Sequence, residues 1–257
     1  MVFQNSIVSP GSQQTIIALQ FTAAPPKVAH QVTHFREEQM HYVQLAEQNI
    51  PVGKIVAIGR NYAEHARELG NPIPSDDQPV LFIKPASSLL ADNGPVVIPP
   101  YCADCHHEIE LAILIGTTGK DISQQQATNH IAGYGVALDL TLRDLQDELK
   151  GKGLPWELAK GFDTSCPLSD FVPATRVKDP HNLQLTLTVN GETRQDGNTS
   201  YMMRSIPQII AEMSEIFTLE AGDVILTGTP AGVSRIESGD VMAGEIEQVG
   251  RIEVKVK

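Results

Sequence analysis

HEIELAILI, residues 107–115, is the stretch that decides the fold of this chain. Residues 108–115 of this stretch predict a strand with apolar side chains on both faces, a pattern that indicates burial. A second apolar run, GYGVALDL at 133–140, predicts another strand and contains a single charged residue, Asp139. The two runs therefore place three carboxyl groups, those of Glu108, Glu110 and Asp139, among side chains that avoid water.

Shorter segments of the same kind surround these two runs. Further strands are predicted over 54–59, 80–84, 96–98, 183–190, 223–227 and 244–257, and helices over 62–69, 124–131, 142–150 and 206–217. Asn190-Gly191 is a strong hairpin signal. Many strands and few helices indicate a β-rich α+β domain, rolled or stacked, with its helices outside.

The beginning of the chain has a different character. Residues 1–39 contain Gln, Ser and Pro and show no long periodic pattern, although 15–21 predicts a short strand. We therefore predict an N-terminal extension at 1–39 and one domain at 40–257, with Met40 as an alternative start of translation.

Charge and composition exclude several classes of partner. The formal net charge is -12, from 19 basic and 31 acidic residues, which argues against a nucleic-acid partner or an anionic membrane. No apolar run approaches the roughly 18 residues of a membrane span. Three cysteines make a disulfide framework improbable, and the N-terminus lacks the basic region of a signal peptide. The expected location is the cytoplasm.

Glu108 and Glu110 form the first candidate site. On a strand, residues i and i+2 point to the same face, about 7 Å apart. A buried pair of like charges is costly unless it is protonated or shares a cation, and Asp139 in its apolar strand is costly for the same reason. A hard divalent ion resolves the problem, and oxygen-only ligands favour Mg, Mn or Ca over Zn. The alternative is an edge strand with solvated acids.

A candidate general base lies in the segment RNYAEHARE at 60–68. On a helix, His65 and Glu68 stand at i,i+3 and can touch. A carboxylate beside an imidazole holds its tautomer and raises its basicity, which suits a base that deprotonates water. A surface histidine in a charged helix is the alternative.

Four further polar residues could bind an anionic substrate. Lys160 follows the apolar run LPWELA, so it could be partly buried and grip a carboxylate or an oxyanion. Arg143 and Gln146 stand at i,i+3 on one predicted helical face, unless that face is ordinary solvated surface. Thr229 follows a strand and offers a hydroxyl and an N–H to an anion, unless it belongs to a plain turn.

The segment CADCH at 102–106 matches the pattern for covalent haem attachment. Haem attachment normally requires export, and a zinc site built from Cys102, Cys105 and the neighbouring histidines lacks a second ligand pair at a usual distance. Coincidence is the favoured interpretation of this segment, and Cys166 is interpreted as a packing residue.

Taken in their order, these segments resemble the fumarylacetoacetate hydrolase family, most closely its short acylpyruvase-like members. The resemblance covers about 54–257, and its segments are specific as a set. They are GRNY (59–62) with His65 and Glu68, FIKP (82–85), HEIEL (107–111), LDLT (138–141) with RDLQ (143–146), LAK (158–160), NG with RQ (190–195) and GDVILTGTP (222–230).

The resemblance implies a mixed β-sandwich roll with peripheral helices and a homodimer whose catalytic domain is 40–257. It implies Mg²⁺ or Mn²⁺ as cofactor, with Ca²⁺ as a further candidate. The family's functional residues fall on the metal ligands Glu108, Glu110 and Asp139, the catalytic His65, Glu68 and Lys160, and the substrate-binding Arg143, Gln146 and Thr229.

The activity implied is hydrolysis of the C–C bond of an acylpyruvate, such as acetylpyruvate or fumarylpyruvate, to pyruvate and a carboxylic acid. His65, aligned by Glu68, would deprotonate the attacking water, and a lid near Gly70 would time its entry. The same site could instead decarboxylate oxaloacetate or tautomerise a related 2-oxo acid. A non-catalytic anion or metal sensor is a further alternative, which His65, Glu68 and Lys160 together disfavour.

Overall fold

The computed structural model describes residues 41–71, 79–90 and 94–257. The predicted strand at 15–21 and the predicted extension at 1–39 lie outside these residues. None of the described helices is long and apolar enough to cross a membrane.

Strands dominate the described chain. They are β1 (Tyr42–Leu45), β2 (Gln48–Pro51), β3 (Ile55–Gly59), β4 (Val80–Lys84), β5 (Leu89–Leu90), β6 (Cys105–His106), β7 (Ile109–Ile115), β8 (Ile131–Leu138), β9 (Thr141–Leu142), β10 (Cys166–Pro167), β11 (Val172–Pro173), β12 (Gln184–Val189), β13 (Glu192–Asn198), β14 (Val224–Leu226), β15 (Arg235–Ile236), β16 (Val241–Ile246) and β17 (Gly250–Lys255). The α-helices are α1 (Ala63–Glu68), α2 (Arg143–Gly151), α3 (Glu157–Lys160) and α4 (Ile206–Ile216), and short 3₁₀ helices cover Ala86–Ser88, Ala127–His130, Ala174–Arg176 and Thr199–Tyr201.

A mixed six-stranded sheet in the order β11-β8-β7-β14-β3-β4 forms the centre of the molecule. Adjacent strands within this sheet are antiparallel, except that β14 and β3 are parallel. A second, antiparallel sheet has the order β13-β12-β16-β17. The strands β15-β6-β9 make a small third sheet, and β1-β2 and β10-β5 are two-stranded pairs.

The central sheet is buried on both faces, as the apolar pattern of β7 predicts. One face belongs to a core that includes Ile109, Leu111 and Ile113 of β7, Leu185 and Leu187 of β12, and Ile209 and Ile210 of α4. The opposite face belongs to a second core that includes Ala112, Leu114, Ala137, Leu226, Phe82 and Phe171. The predicted β-rich α+β class is therefore confirmed.

Three local predictions are wrong. The predicted helix at 124–131 is a turn followed by the 3₁₀ helix Ala127–His130, and of the predicted strand at 96–98 only Val96 makes a bridge, to Val256. The single strand predicted over 244–257 is the hairpin β16–β17, because Gln248 takes a left-handed conformation at φ 62° and reverses the chain. Alternation of side chains is the same in a hairpin and in one long strand, so periodicity could not separate them.

Candidate active site

Register in the central sheet brings the three predicted carboxylates together. β7 and β8 pair Ile109 with Leu138, so Glu108 and Asp139 stand opposite each other just beyond the paired residues, and the N–H of Asp139 donates to the carbonyl of Glu108 at 2.8 Å. Glu110 points to the same face as Glu108 because the two are i and i+2 on the strand. One oxygen from each carboxylate lies within 4.8 Å of the others, and all three residues are buried.

Lys160 and Arg143 balance the charge of two of these carboxylates. Lys160 Nζ donates to Glu108 Oε2 at 2.8 Å and to Asp139 Oδ2 at 2.6 Å. Arg143 donates to the other oxygen of Glu108 and, at 2.6 Å, to Gln146 Oε1. Burial by itself raises the pKa of Glu108, but the charges of Lys160 and Arg143 outweigh it and hold that pKa well below its usual range.

Lys84 is a functional position to which the sequence analysis gave no role. It is fully buried, and its Nζ lies 2.8 Å from Asp139 Oδ1, although the contact lacks hydrogen-bond geometry. The same ammonium donates to the carbonyls of Leu140 at 3.2 Å and Ser165 at 3.0 Å. The signal that could have found it is the one that identified Lys160: a lysine at the end of an apolar run.

Within the described residues, Glu110 is the carboxylate of the three that makes no ion pair or hydrogen bond with a basic side chain. Among the described residues its contact is the N–H of Gly228, which donates to Oε2 at 2.6 Å. Burial, together with the charges of Asp139 and Glu108, raises the pKa of Glu110 well above its usual range. A buried carboxylate that faces two others and contacts no cation fits a site for a divalent metal ion.

His65 and Glu68 lie near each other on α1, but they are not hydrogen-bonded. His65 Nδ1 is 3.6 Å from Glu68 Oε2 and has no hydrogen-bond partner among the residues that the structure describes, while the N–H of Gly232 donates to both oxygens of Glu68 at 3.1 Å. Burial lowers the pKa of His65 from 6.5, and Arg143 and Lys160 act in the same direction. The imidazole is therefore neutral near pH 7 and can accept a proton.

Thr229 uses its hydroxyl within the fold. Its Oγ1 donates to the carbonyl of Ile109 at 2.7 Å and accepts from Gln195 Nε2 at 2.7 Å. The hydroxyl proton is thus not free for a substrate carboxylate. The backbone N–H of Thr229 remains the group through which the predicted anion contact could be made.

Gln195 connects the segment that carries the carboxylates to the loop after β14. Its Oε1 accepts from the N–H of Ile109 at 3.0 Å and lies 2.9 Å from His107 Nδ1, and its Nε2 donates to the carbonyl of Pro230 at 2.9 Å. Gln195 and His107 are fully buried, and burial lowers the pKa of His107 to about 4. Gln195 stands in a quoted family segment, but its partners are far away in sequence, so sequence alone assigned it no role.

Among the described residues, the cysteines of the CADCH segment are not grouped with histidines or acidic residues as metal ligands. Cys102 and Cys105 are free thiols, and burial raises their pKa values to about 11 and about 12, so both stay protonated. Within 41–71, 79–90 and 94–257, the carboxylate trio is the one group of acidic, histidine or cysteine residues placed to hold a metal ion.

One cavity, of about 390 Å³ including its open mouth, joins these groups. Eight of the nine predicted site residues line it, namely His65, Glu108, Glu110, Asp139, Arg143, Gln146, Lys160 and Thr229. Glu68 is not among the lining residues. Arg60, Lys150 and Trp156 complete a second part of the wall, which the sequence analysis did not anticipate.

Comparison with known proteins agrees with this geometry. A family model described as fumarylacetoacetate (FAA) hydrolase C-terminal matches residues 54–257. The chain is 52% identical to oxaloacetate tautomerase YcgM of Escherichia coli (strain K12) over 203 residues, which are 79% of this chain and 92% of that protein. It is 50% identical to the mitochondrial oxaloacetate decarboxylase of Dictyostelium discoideum over 190 residues, 74% of this chain and 86% of that protein.

A solved structure adds information about ligands. The fumarylpyruvate hydrolase from Pseudomonas aeruginosa, in complex with Mn²⁺ and pyruvate, superposes with a TM-score of 0.79 at 38% identity, covering 84% of this chain and 95% of that one. The structural similarity confirms the predicted fold type. It also shows that a protein with this fold binds a divalent metal ion.

Proposed function

Because this chain belongs to the fumarylacetoacetate hydrolase family, we propose that it is an oxaloacetate tautomerase, which interconverts the keto and enol forms of that 2-oxo acid. The observation that carries the proposal is a single cavity in which a neutral buried histidine, His65, faces a carboxylate trio and Lys160. The similarity to a tautomerase over nine-tenths of that relative's length supports this activity above hydrolysis.

We further propose that Glu108, Glu110 and Asp139 hold Mg²⁺ or Mn²⁺, since their donors are all oxygen. When bound, such an ion polarises the 2-oxo group and favours the negative charge that develops on its oxygen. Lys160 adds a positive charge beside the carboxylate trio, where Glu108 and Asp139 hold its ammonium in place. This charge favours the same negative oxygen.

His65 is the proposed base. Tautomerisation moves one proton between C3 and the 2-oxo oxygen and consumes neither water nor a leaving group. The neutral imidazole takes the proton from C3 of the keto form, and the imidazolium then passes it to the 2-oxo oxygen, which gives the enol and restores the neutral base; the reverse reaction runs through the same two transfers. Glu68, at 3.6 Å, stabilises the charged state. Arg143 and Gln146, joined by a hydrogen bond, orient the substrate carboxylate.

Two other activities share this geometry. The relative from Dictyostelium discoideum favours oxaloacetate decarboxylation. The acylpyruvate hydrolysis expected from the sequence is favoured by the pairing of His65 with Glu68, which could activate water, and by the Pseudomonas neighbour. Hydrolysis is ranked second because the more similar relatives are not hydrolases.

An assay of the enol form of oxaloacetate tests the proposal. Purified protein with Mg²⁺ should accelerate the loss of the enol ultraviolet absorbance, while a coupled lactate dehydrogenase assay detects no pyruvate at a matching rate. The controls are Mg²⁺ without protein and protein with chelator. Pyruvate formed as fast as the enol disappears would identify a decarboxylase. Cleavage of acetylpyruvate at a higher rate than the conversion of the oxaloacetate enol would identify a hydrolase.

The remaining proposals concern the whole chain. We also propose that the protein forms a homodimer and that its catalytic domain, 40–257, follows an N-terminal extension. The proposed location is the cytoplasm. The relative from Dictyostelium discoideum is mitochondrial, so imaging of a tagged full-length chain is the direct test of the compartment.

A further inference from the structure

A second group of cations lines the cavity around a single indole ring. Arg60 Cζ lies 6.0 Å from the ring centre of Trp156, and Lys150 Nζ lies 5.5 Å from it. Two like charges on one ring repel each other, and an anion bound between them removes that cost. Lys150 has a partial partner in the exposed Asp147 at 3.4 Å, so Arg60 is the less compensated of the two.

Within the described part of the chain, Arg60 has unused hydrogen-bond donors. Its Nη2 donates to Asn71 Oδ1 at 3.3 Å, and its buried Nε has no partner among the described residues. The other cations of the cavity are engaged, Arg143 with Glu108 and Lys160 with Glu108 and Asp139. A guanidinium presents five N–H groups in a fork that matches a carboxylate. Arg60 is therefore the lining cation best able to bind an added carboxylate.

The backbone holds Arg60 in an uncommon conformation. Its φ is 60°, in the left-handed region, directly after β3. For a residue other than glycine this conformation is strained, and it persists where the surroundings impose it. The next residue, Asn61, imposes it here: its side chain donates to the carbonyl of Thr227 at 2.9 Å and accepts from the N–H of Arg204 at 2.8 Å.

A continuous set of contacts leads from the carboxylate trio to Arg60. Lys160 Nζ lies 4.8 Å from the ring centre of Phe82, the rings of Phe82 and Trp156 are 6.0 Å apart, and Arg60 lies on Trp156. The lining side chains carry four positive charges, on Arg60, Arg143, Lys150 and Lys160, against three negative ones. The cavity is thus positive before any metal binds, although the chain as a whole is acidic.

We propose that Arg60, supported by Trp156 and Lys150, binds the second carboxylate of the substrate and selects 2-oxo dicarboxylic acids over 2-oxo monocarboxylic acids. This inference rests on the proposed function, because it names the substrate class of that same site. The first carboxylate and the 2-oxo group of the substrate lie toward the trio. The second carboxylate accepts hydrogen bonds from the N–H groups of Arg60 that are not otherwise used.

Binding of two matched ligands tests the proposal. Oxaloacetate and acetylpyruvate share the 2-oxo carboxylate and differ at the far end, where acetylpyruvate carries a methyl ketone in place of the second carboxylate. Calorimetry on Mn²⁺-loaded protein with His65→Ala, in which turnover does not blur the titration, measures both affinities. Adding Arg60→Gln should weaken oxaloacetate binding by about 10-fold to 100-fold, the range for loss of a hydrogen bond between charged groups. Acetylpyruvate binding should change by less than about 3-fold, within the context-dependent scatter of such contacts.

Two further variants control the measurement. Arg60→Lys keeps the charge and should restore part of the preference for oxaloacetate. Arg67→Gln removes an exposed arginine of α1 that pairs with Glu64 outside the cavity, and should change neither affinity. The assignment would be overturned if Arg60→Gln weakened the binding of both ligands equally or left the binding of both unchanged. It would also be overturned if the His65→Ala protein that retains Arg60 bound neither ligand. Because binding is read without turnover, a chain that shows the preference but fails to tautomerise oxaloacetate would contradict only the proposed activity.

Discussion

At the scale of single residues, the three carboxylates differ in how their charge is balanced. Glu108 and Asp139 contact ammonium or guanidinium groups of Lys84, Arg143 and Lys160. Glu110 accepts from one backbone N–H within the described part of the chain. Removing Glu108 or Asp139 therefore strands a buried cation, which is strongly destabilising. Glu110 can be changed without that cost, so it is the position at which metal binding can be separated from folding.

The pH dependence of turnover follows from His65. A general base works in its deprotonated form, so the rate rises as pH passes upward through the His65 pKa. Burial lowers that pKa from 6.5, and a bound divalent cation acts in the same direction. The midpoint of the rise should therefore lie below pH 6.5. In His65→Gln the rate should fall by about 10²-fold to 10⁴-fold with Mn²⁺ affinity retained. An acidic limb centred above pH 6.5, or wild-type turnover in the variant, would show that His65 is not the base.

The sequence correctly predicted burial where a charge interrupts an apolar run. Glu110, Asp139 and Lys160 stood out for this reason, and the structure buries all three in one cavity. It could not assign Gln195, whose partners His107 and Pro230 come from other segments. A polar residue on an exposed-looking strand gives no sign of such partners until the strands are placed.

At the scale of elements, the site is built at one edge of the central sheet, where β7 begins and β8, β3 and β14 end. β7, β8, β3 and β14 deliver Glu110, Asp139, Arg60 and Gly228. Gly228 is the tightest point of this arrangement. Its φ is 93°, and a Cβ there would lie 2.8 Å from the Cβ of Asn61. The loop after β14 can therefore approach the loop after β3 only through a glycine.

Gly228→Ala should destabilise the protein more than a matched glycine change elsewhere. The added methyl group meets both the left-handed backbone and Asn61, so the free energy of unfolding should fall by about 2 to 4 kcal/mol. Gly239→Ala is the control, since its φ is 98° but nothing lies within 4 Å of the added Cβ. That variant should lose about 1 to 2 kcal/mol. Equal losses in urea unfolding of the two variants would show that the approach of the two loops carries no cost.

Element-level prediction held for long periodic segments. The strand and helix patterns that became β7, β8 and α4 needed no partner to be recognised. The hairpin β16–β17 was missed because its reversal depends on Gln248, a residue with no turn preference of its own. The short 3₁₀ helix Ala127–His130 shows the same limit, since a single turn carries too few residues to display a period.

At the scale of the whole molecule, an acidic chain encloses a cationic cavity. The net charge of -12 keeps the outer surface negative on average, whereas the cavity wall carries more positive than negative side chains. The sequence correctly predicted the fold class, but the sign of the cavity charge required the packing of segments far apart in the chain. The balance of charge inside the cavity, rather than the total, determines which small anion it accepts.

The central claim is that the trio of carboxylates holds one divalent ion. Calorimetric titration of Mn²⁺ into chelator-treated protein tests it, with Glu110→Gln as the variant and the exposed Glu253→Gln as its control. Wild type and Glu253→Gln should bind one Mn²⁺ per chain, and Glu110→Gln should bind it more weakly by about 100-fold or more. The metal-free variant should unfold at the same urea concentration as wild type or a higher one, because an amide replaces a buried carboxylate. Wild-type affinity for Mn²⁺ in Glu110→Gln, or no Mn²⁺ bound by the wild type, would contradict the account.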